Sequence, residues 1–349
     1  MKKILSVHKP PITSYMTHAP VLSILSNDDK YLPWFFLNYI QMRVRDDGID
    51  FYNFYTAHYS CPFFDTTYLS RDFISKHIRD KSITEFLIKC IDDGYYVIAL
   101  IDTSFIKLYP SKKAGDTHPI FIYGYDENNK TFNVADFFDR GKYSFEIAPF
   151  NEIELAYINC DNDKHWQKGI HLLGRIEYDK VYFPSNFVDL LNKYIQGNET
   201  SVPYNHLPNN YVTFGLESCY NRAMEEIMKF KSSQYYDNRL FPIFCEHKVV
   251  LKMMCEYLSD HGCEEMNQLR EGYNELYEKA FILRNKWIKC NRQQTNDVYN
   301  ESELLKLKNL EINLIKRTIV ILENMDQKIF FNEVSNDDKQ QNKHYSSNI

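Results

Sequence analysis

The sequence predicts an α+β fold, with helices and an antiparallel sheet in the N-terminal half and a helical bundle in the C-terminal half. Two alternating apolar runs around a polar turn at 126–130 predict a β-hairpin. Ser82 and Glu85 form a capping-box pattern before an apolar helical face, and residues 95–102 form an apolar run typical of a buried strand. From about residue 209 onward, amphipathic patterns predict four helices.

Composition and charge exclude several classes of protein. The chain has 349 residues, 44% of them hydrophobic, which is enough for one large or two medium domains. The net charge of −6 and the lack of a long basic run argue against nucleic-acid binding. Eight cysteines without CxxC or zinc-finger spacing predict a reducing compartment and no metal site. We predict a cytoplasmic protein, because no apolar run could span a membrane and the N-terminus is a poor signal peptide.

The N-terminal half begins with an extended arm, predicted from the prolines of residues 1–18. Apolar patterns then predict a buried helix at 19–25, a helix at 32–45, a short strand at 51–55 and a loop at 58–68. A capped helix from about residue 83 ends at Gly94. It is followed by a strand at 95–102, the hairpin at 118–136 and an edge strand at 143–146.

The C-terminal half is predicted to be mostly helical. Residues 169–182 supply one more strand or hairpin, and Ser185 caps a helix that Gly197 stops. The four later helices are expected at 209–230, 238–260, 264–291 and 301–328. These patterns divide the chain into a first domain of helices and sheet at 1–160, a mostly helical domain at 161–331 and a disordered polar tail at 332–349.

His118 and Asp136 lie at the two ends of the predicted hairpin. They are 18 residues apart and flank its turn, so they are expected near the same end of two paired strands. A carboxylate in that position can hold an imidazole in one tautomer, and the imidazole can then act as general base and acid for a nucleophile from elsewhere. The alternative is a hairpin with a polar rim, in which the histidine caps a strand and the aspartate begins a turn.

Four segments carry a resemblance to a known family: YYVI at 95–98, HPIFIYGYD at 118–126, FNVADFF at 132–138 and DNRLFPIFCEHK at 237–248. After a helical start, they resemble the papain-like cysteine protease fold of the bacteriocin-leader peptidases. The closer likeness is to the variant found in gene clusters for peptide-like antibiotics, such as the butirosin acyltransferase. The resemblance covers most of residues 15–330. It implies a papain-like catalytic domain, followed by helices, that moves an acyl group from a carrier protein onto an amine.

This resemblance also implies roles for individual residues. His118 would be the catalytic base and Asp136 its orienting partner. The nucleophilic cysteine would lie at the N-terminus of the first buried helix, where the helix dipole and an imidazolium lower the thiol pKa. The matching window at 14–22 holds no cysteine, and Ala19 is the expected nucleophile position. Three explanations stay open: a nucleophile replaced at Ala19, a pseudoenzyme that only binds, or Cys61 as the nucleophile.

Two further histidines are candidate binding residues. His18 is expected either to line the cleft or to be an ordinary polar surface residue. His247 lies in a predicted helix and is expected either to contact substrate or carrier, or to form a structural polar cluster with Asp237 or Arg239.

The predicted function is acyl transfer with formation of an amide bond, in the nonribosomal biosynthesis of a peptide-like or thioamide antibiotic. The partners would be an acyl or peptidyl carrier protein, whose phosphopantetheine arm presents the thioester, and a small amine. No further cofactor, nucleic acid or membrane is expected, and a homodimer is a further option. The alternatives are a binding protein on an inactive protease scaffold and, below it, a cysteine peptidase.

Overall fold

A computed structural model describes residues 1–46, 48–51, 61–77, 82–110, 113, 115–139, 141–160, 169–178, 182, 184–199, 212–232, 237–293 and 301–325. Contacts divide the chain into two units. Unit 1 comprises Met1–Tyr31 and Phe54–Asp179, and unit 2 comprises Leu32–Asn53 and Lys180–Ile349.

The helices and strands alternate along unit 1, whereas helices dominate unit 2. The described α-helices are α1 (Ala19–Leu25), α2 (Leu32–Tyr39), α3 (Arg71–His77), α4 (Ile83–Asp92), α5 (Phe150–Ile158), α6 (Pro184–Gln196), α7 (Gly215–Lys231), α8 (Leu240–Asp260), α9 (Arg270–Gln293) and α10 (Glu301–Glu323). The described strands are β1 (Lys2–Ile4), β2 (Met42–Arg45), β3 (Gly48–Phe51), β4 (Phe64–Leu69), β5 (Tyr95–Asp102), β6 (Thr117–Asp126), β7 (Thr131–Asp139), β8 (Lys142–Pro149), β9 (Ile170–Arg175) and β10 (Thr213–Phe214). This mixture of helices and antiparallel strands confirms the predicted α+β class.

A seven-stranded antiparallel sheet forms the centre of unit 1. Its order is β4–β9–β5–β6–β7–β8, and β1 pairs with the second half of β6. The predicted hairpin is the β6–β7 pair, in which Phe121 lies opposite Ala135. On its other side, the start of β6 pairs with the end of β5, so that His118 lies opposite Ile101. The hairpin therefore lies inside the sheet and not at its edge.

One face of this sheet packs against two helices. Val97 of β5 and Ile120 of β6 belong to a buried hydrophobic cluster that also contains Leu87 of α4 and Ile153 of α5. The capping box of α4 is present, because the Ser82 hydroxyl accepts a hydrogen bond of 3.2 Å from the Glu85 amide. The most local of the sequence signals thus predicted the helix that covers this face.

The opposite face of the sheet carries aromatic side chains and α1. Because side chains alternate along a strand, Tyr96, Phe121 and Tyr123 point away from the α4–α5 cluster, and their rings lie 5.7–6.1 Å from one another along the row. Ser23 of α1 lies 3.5 Å from the Tyr143 hydroxyl of β8. The central strands are therefore buried on both sides, as the continuous apolar run of β5 predicts.

The domain boundary differs from the one predicted at residue 160. β9, at residues 170–175, pairs with both β4 and β5, so it belongs to the interior of the unit 1 sheet. Residues 32–53 belong to unit 2, where β2 and β3 form a three-stranded antiparallel sheet with β10. Local composition cannot reveal such pairings, because each partner strand lies far away in the sequence. The predicted disordered tail at 332–349 lies outside the described residues.

Several predicted elements need correction. The helix expected at 32–45 ends at Tyr39, and its second part is β2, where Arg43 pairs with Asp50 of β3 at 3.0 Å. The loop expected at 58–68 contains β4, and α3 and α5 were not predicted. The helices expected from 209 onward are confirmed as α7 to α10, although the first of them begins at Gly215. Within the described residues, no helix has the length and apolar character needed to cross a membrane.

Two glycines of unit 1 provide a matched test of a close backbone approach. Gly94 and Gly169 both have φ +89°, but a Cβ at residue 169 would lie 2.4 Å from the Leu69 carbonyl oxygen, whereas none of the described atoms lies within 4 Å of one at residue 94. We expect Gly94→Ala to cost about 1–2 kcal/mol of unfolding free energy from backbone strain. Gly169→Ala should cost about 1–3 kcal/mol more from overpacking. Guanidinium unfolding measures both, and equal costs would contradict the close approach at residue 169.

Candidate active site

The sheet brings His118 and Asp136 into direct contact. His118 is the second residue of β6, and Asp136 lies on the neighbouring strand β7. The imidazole Nδ1 is 2.7 Å from Oδ2 of the carboxylate. Because an ionised carboxylate only accepts hydrogen bonds, Nδ1 is the donor, and Nε2 is the nitrogen left for proton transfer. The expected pairing of these two side chains is therefore confirmed.

The Asp136 carboxylate is completely buried and accepts hydrogen bonds at both oxygens. Oδ1 accepts a bond of 2.7 Å from the Phe137 amide. Oδ2 accepts bonds from His118 Nδ1 and from the Tyr109 hydroxyl. Sequence reasoning missed Tyr109, which precedes Asp136 by 27 residues and lies in a connection without periodicity. These three donors satisfy both oxygens of a carboxyl group that has no contact with solvent.

The imidazole of His118 remains partly accessible, with 38% of its side-chain surface exposed, while Asp136 has none exposed. Burial disfavours the charged imidazolium, but the charge and the hydrogen bond of Asp136 outweigh it, so that the pKa of His118 lies above its ordinary value of 6.5. An accessible imidazole whose Nδ1 is held by a buried carboxylate can bind and release a proton at Nε2.

Ala19 is the first residue of α1, as expected, and it is completely buried. A series of contacts leads from α1 to the dyad. The Ser23 hydroxyl donates to the Ala19 carbonyl at 2.7 Å and lies beside the Tyr143 hydroxyl. The Tyr143 ring lies 5.7 Å from that of Phe137, which is 6.1 Å from the His118 ring. The connection therefore runs around the end of the sheet, from the face that carries α1 to the face that carries the dyad.

His18 does not have the exposure expected of a residue that lines a cleft. Its side chain is completely buried directly before α1, and its ring contacts that of Tyr15 edge-on at 6.2 Å. Neither the cleft position nor the surface position expected for His18 is found, because the chain turns inward at residue 18 to begin a buried helix.

Cys61 is unsuited to be the nucleophile. Its thiol is buried, and burial raises its pKa to about 12, although the Phe63 amide and the charge of Arg175 partly oppose this rise. Cys61 precedes the edge strand β4, at the end of the sheet where β5 begins at Tyr95. His118 lies opposite Ile101, which is six residues further along β5, or about 20 Å away at 3.3 Å per residue. All eight cysteine side chains are buried.

His247 is a buried structural residue, and the prediction that it contacts substrate is wrong. Only 1% of its surface is exposed, its Nε2 donates to the Ile40 carbonyl at 2.7 Å, and its Nδ1 lies 3.2 Å from Lys248 Nζ. Burial and the neighbouring ammonium group lower the pKa of His247 well below its ordinary value. The alternative prediction of a polar cluster holds with other partners, because Asp237 pairs with Arg239 instead.

The polar cluster around His247 contains a buried ion pair. Lys248 Nζ is 2.7 Å from the Glu311 carboxylate, which also accepts hydrogen bonds from the hydroxyls of Tyr194 and Tyr220. The ammonium group lies 4.2 Å from the centre of the Phe244 ring. Lys248 and Glu311 are almost completely inaccessible to solvent. This cluster joins α6, α7, α8 and α10 within unit 2.

Lys248→Met and Glu311→Leu test the buried ion pair. Each single variant leaves one buried charge without its partner, so each should lose about 3–5 kcal/mol of unfolding free energy. The double variant should lose less than the sum, because it buries no uncompensated charge. Denaturant unfolding of all three variants gives the coupling energy, and fully additive losses would contradict this account.

Among the described residues, no group of three or more His, Cys, Asp and Glu side chains is arranged to hold a metal ion. Comparison of the chain with models of known protein families and with curated proteins gives no match.

Asp136→Asn tests the electrostatics of the dyad. Loss of the carboxylate charge leaves burial as the dominant effect, so the pKa of His118 should fall below its value in the unaltered protein. The stabilisation from the pair is complete below about pH 6.5 and is lost as the pH rises through the raised folded-state pKa of His118. NMR titration of the imidazole and unfolding at several pH values measure both effects.

Asp116→Asn is the matched control for this test, because Asp116 is an exposed aspartate only two residues before His118. It should leave the titration of His118 close to that of the unaltered protein. If Asp116→Asn and Asp136→Asn move the pKa of His118 equally, the 2.7 Å contact is not what raises it.

Proposed function

We propose that this chain transfers an acyl group from a carrier-protein thioester to an amine, with His118 and Asp136 as its acid–base pair on a papain-like scaffold. The observation that carries the proposal is the 2.7 Å hydrogen bond between a partly exposed imidazole and a completely buried carboxylate. This arrangement supplies an imidazole of fixed tautomer, whose Nε2 can exchange protons with a substrate.

The papain-like scaffold is supported by the order of elements in unit 1. The buried helix α1 precedes the strands that carry the dyad in the sequence. The contacts through Ser23, Tyr143 and Phe137 connect the start of α1 with His118. The sequence resemblance at 118–126 and 132–138 falls on the same strands and is independent of these contacts.

Ala19 decides which chemical route is available. Alanine has no nucleophilic atom, so this chain cannot form an acyl-enzyme at residue 19. The amine nitrogen attacks the thioester carbonyl directly, and a C–N bond forms. His118 Nε2 accepts a proton from that nitrogen and delivers it to the thiolate that leaves as the C–S bond breaks. Asp136 stays ionised and stabilises the imidazolium between these two steps.

A thioester substrate suits this set of residues. A thiolate leaves without strong acid assistance, since thiols have pKa values near 8.5, and one imidazole can therefore serve both proton transfers. The proposed donor is an acyl group on the phosphopantetheine arm of a carrier protein, and the proposed acceptor is a small amine of nonribosomal antibiotic biosynthesis.

The second candidate function is a binding protein without catalysis. Ala19 favours it, because the residue at the expected nucleophile position is an inert side chain that packs in the interior. Such a protein would hold a metabolite or a synthetase component next to His118 without turnover. Amide formation by the unaltered chain distinguishes the two candidates.

Amide formation is the test of the proposal. The unaltered protein is incubated with butyryl-N-acetylcysteamine thioester and glycine ethyl ester, and the amide is measured by mass spectrometry. We expect His118→Ala to lower the rate about 10²–10⁴-fold, because the acid–base group is lost. Asp136→Asn should also lower it, by leaving the imidazole without its orienting carboxylate. Absence of amide, with saturable thioester binding, would instead support the binding protein.

Ala19→Cys tests the expected nucleophile position separately. Incubation with the same thioester should add one butyryl group to the protein, and Ala19→Cys with His118→Ala should acylate much more slowly. Val21→Cys is the matched control, because Val21 is also completely buried in α1. Equal acylation of both cysteine variants, or of neither, would contradict the assignment of residue 19.

A further inference from the structure

The Asp136 carboxylate has a second side-chain partner besides the imidazole. The Tyr109 hydroxyl donates to Oδ2, the same oxygen that accepts the bond from His118 Nδ1. The Phe137 amide occupies the other oxygen at 2.7 Å. Tyr109 thus competes with His118 for the charge on one carboxylate oxygen.

The core of unit 1 holds Tyr109 in place. Only 8% of its surface is exposed, and it belongs to the hydrophobic cluster between the sheet, α4 and α5. Its amide donates to the Ile106 carbonyl at 3.3 Å, and its ring lies 5.0 Å from that of Phe138. The position of the hydroxyl is therefore set by packing and not by the dyad itself.

Tyr109 can act only as a hydrogen-bond donor to Asp136. Burial, together with the charge and the hydrogen bond of Asp136, raises the pKa of Tyr109 well above its ordinary value, so the phenol keeps its proton. A donor on Oδ2 stabilises the carboxylate charge and weakens its attraction for the imidazolium. Without that donor, the carboxylate would hold the proton on His118 more strongly.

We propose that Tyr109 is a positioning residue that fixes the Asp136 carboxylate and moderates its hold on the imidazolium form of His118. In the acyl transfer proposed above, on which the catalytic part of this inference rests, Tyr109 helps His118 to release its proton to the leaving thiolate. The electrostatic part stands independently, because it concerns only the three side chains and needs no substrate.

Among the residues that the structure describes, Tyr143 and Asp102 are ionisable side chains near the dyad. Tyr143 of β8 contacts Ser23 and the Phe137 ring, and its hydroxyl is directed toward α1. Asp102, at the end of β5, accepts hydrogen bonds from the amides of Ser104 and Gly115 at 2.9 and 3.0 Å. These partners hold the two groups in place, so Tyr109→Phe should leave both of them unchanged.

Tyr109→Phe is the decisive variant, because it removes the hydroxyl and keeps the ring that packs against Phe138. NMR titration of the imidazole should show the pKa of His118 higher than in the unaltered protein, in the direction opposite to Asp136→Asn. Tyr143→Phe, the matched control, also removes a buried hydroxyl of this region and should leave the titration unchanged. An unchanged or lowered pKa in Tyr109→Phe would overturn the proposal.

A measurement on the unaltered protein covers the case in which Tyr109→Phe does not fold. At low temperature the Tyr109 hydroxyl proton should exchange slowly and show a nuclear Overhauser effect to the Nδ1 proton of His118. Absence of this effect would contradict the arrangement in which Tyr109 and His118 both donate to Oδ2 of Asp136.

The catalytic part is measured in the assay of amide formation. Tyr109→Phe should shift the rising limb of the pH–rate profile to higher pH, because His118 acts as a base only when it is neutral. If the pKa of His118 rises in Tyr109→Phe but neither this variant nor the unaltered protein forms amide, the acyl-transfer proposal fails and the electrostatic role of Tyr109 stands. If amide forms but the profile does not shift, the role of Tyr109 in the reaction fails alone.

Discussion

The buried negative charge of Asp136 is the constraint on which the candidate site depends. A carboxylate without solvent contact must be surrounded by donors, and Asp136 has them on both oxygens. These donors come from three parts of unit 1: the start of β6, the connection that contains Tyr109, and the backbone of β7. The charge can stay buried only if these parts come together, so the same interaction that organises the site also restrains the fold around it.

His118 and His247 show how surroundings decide the chemistry of one side chain. Both contact ionisable neighbours, but His247 is enclosed beside the ammonium group of Lys248, which drives it toward the neutral form. His118 faces solvent on one side and a carboxylate on the other, which favours the charged form and leaves it open to a substrate. His247 therefore stabilises unit 2, whereas His118 is suited to proton transfer.

Ala19 and Cys61 together limit what the site can do. Cys61 lies at the opposite end of the sheet with a thiol that keeps its proton, and Ala19 offers no nucleophilic atom. A covalent acyl-enzyme thus has no residue to form on at either position. An imidazole that can serve an external nucleophile remains, which is the role given to His118 in the proposed acyl transfer.

The sequence alone determined those features whose causes are local. The capping box at Ser82, the buried run of β5 and the polar turn between two alternating segments each act over a few residues. The turn pairs β6 with β7, but the register shift between Ile122 and Gly124 decides which residues of the two strands meet near His118 and Asp136. The tertiary structure decided the features whose causes lie between distant segments. Tyr109 reaches Asp136 only because the core fixes its ring, and residues 42–45 form a strand because Arg43 pairs across a hairpin with Asp50. Helical and strand patterns look alike in short apolar segments. Whether such a segment becomes a helix or a strand is decided by the element that packs against it or pairs with it.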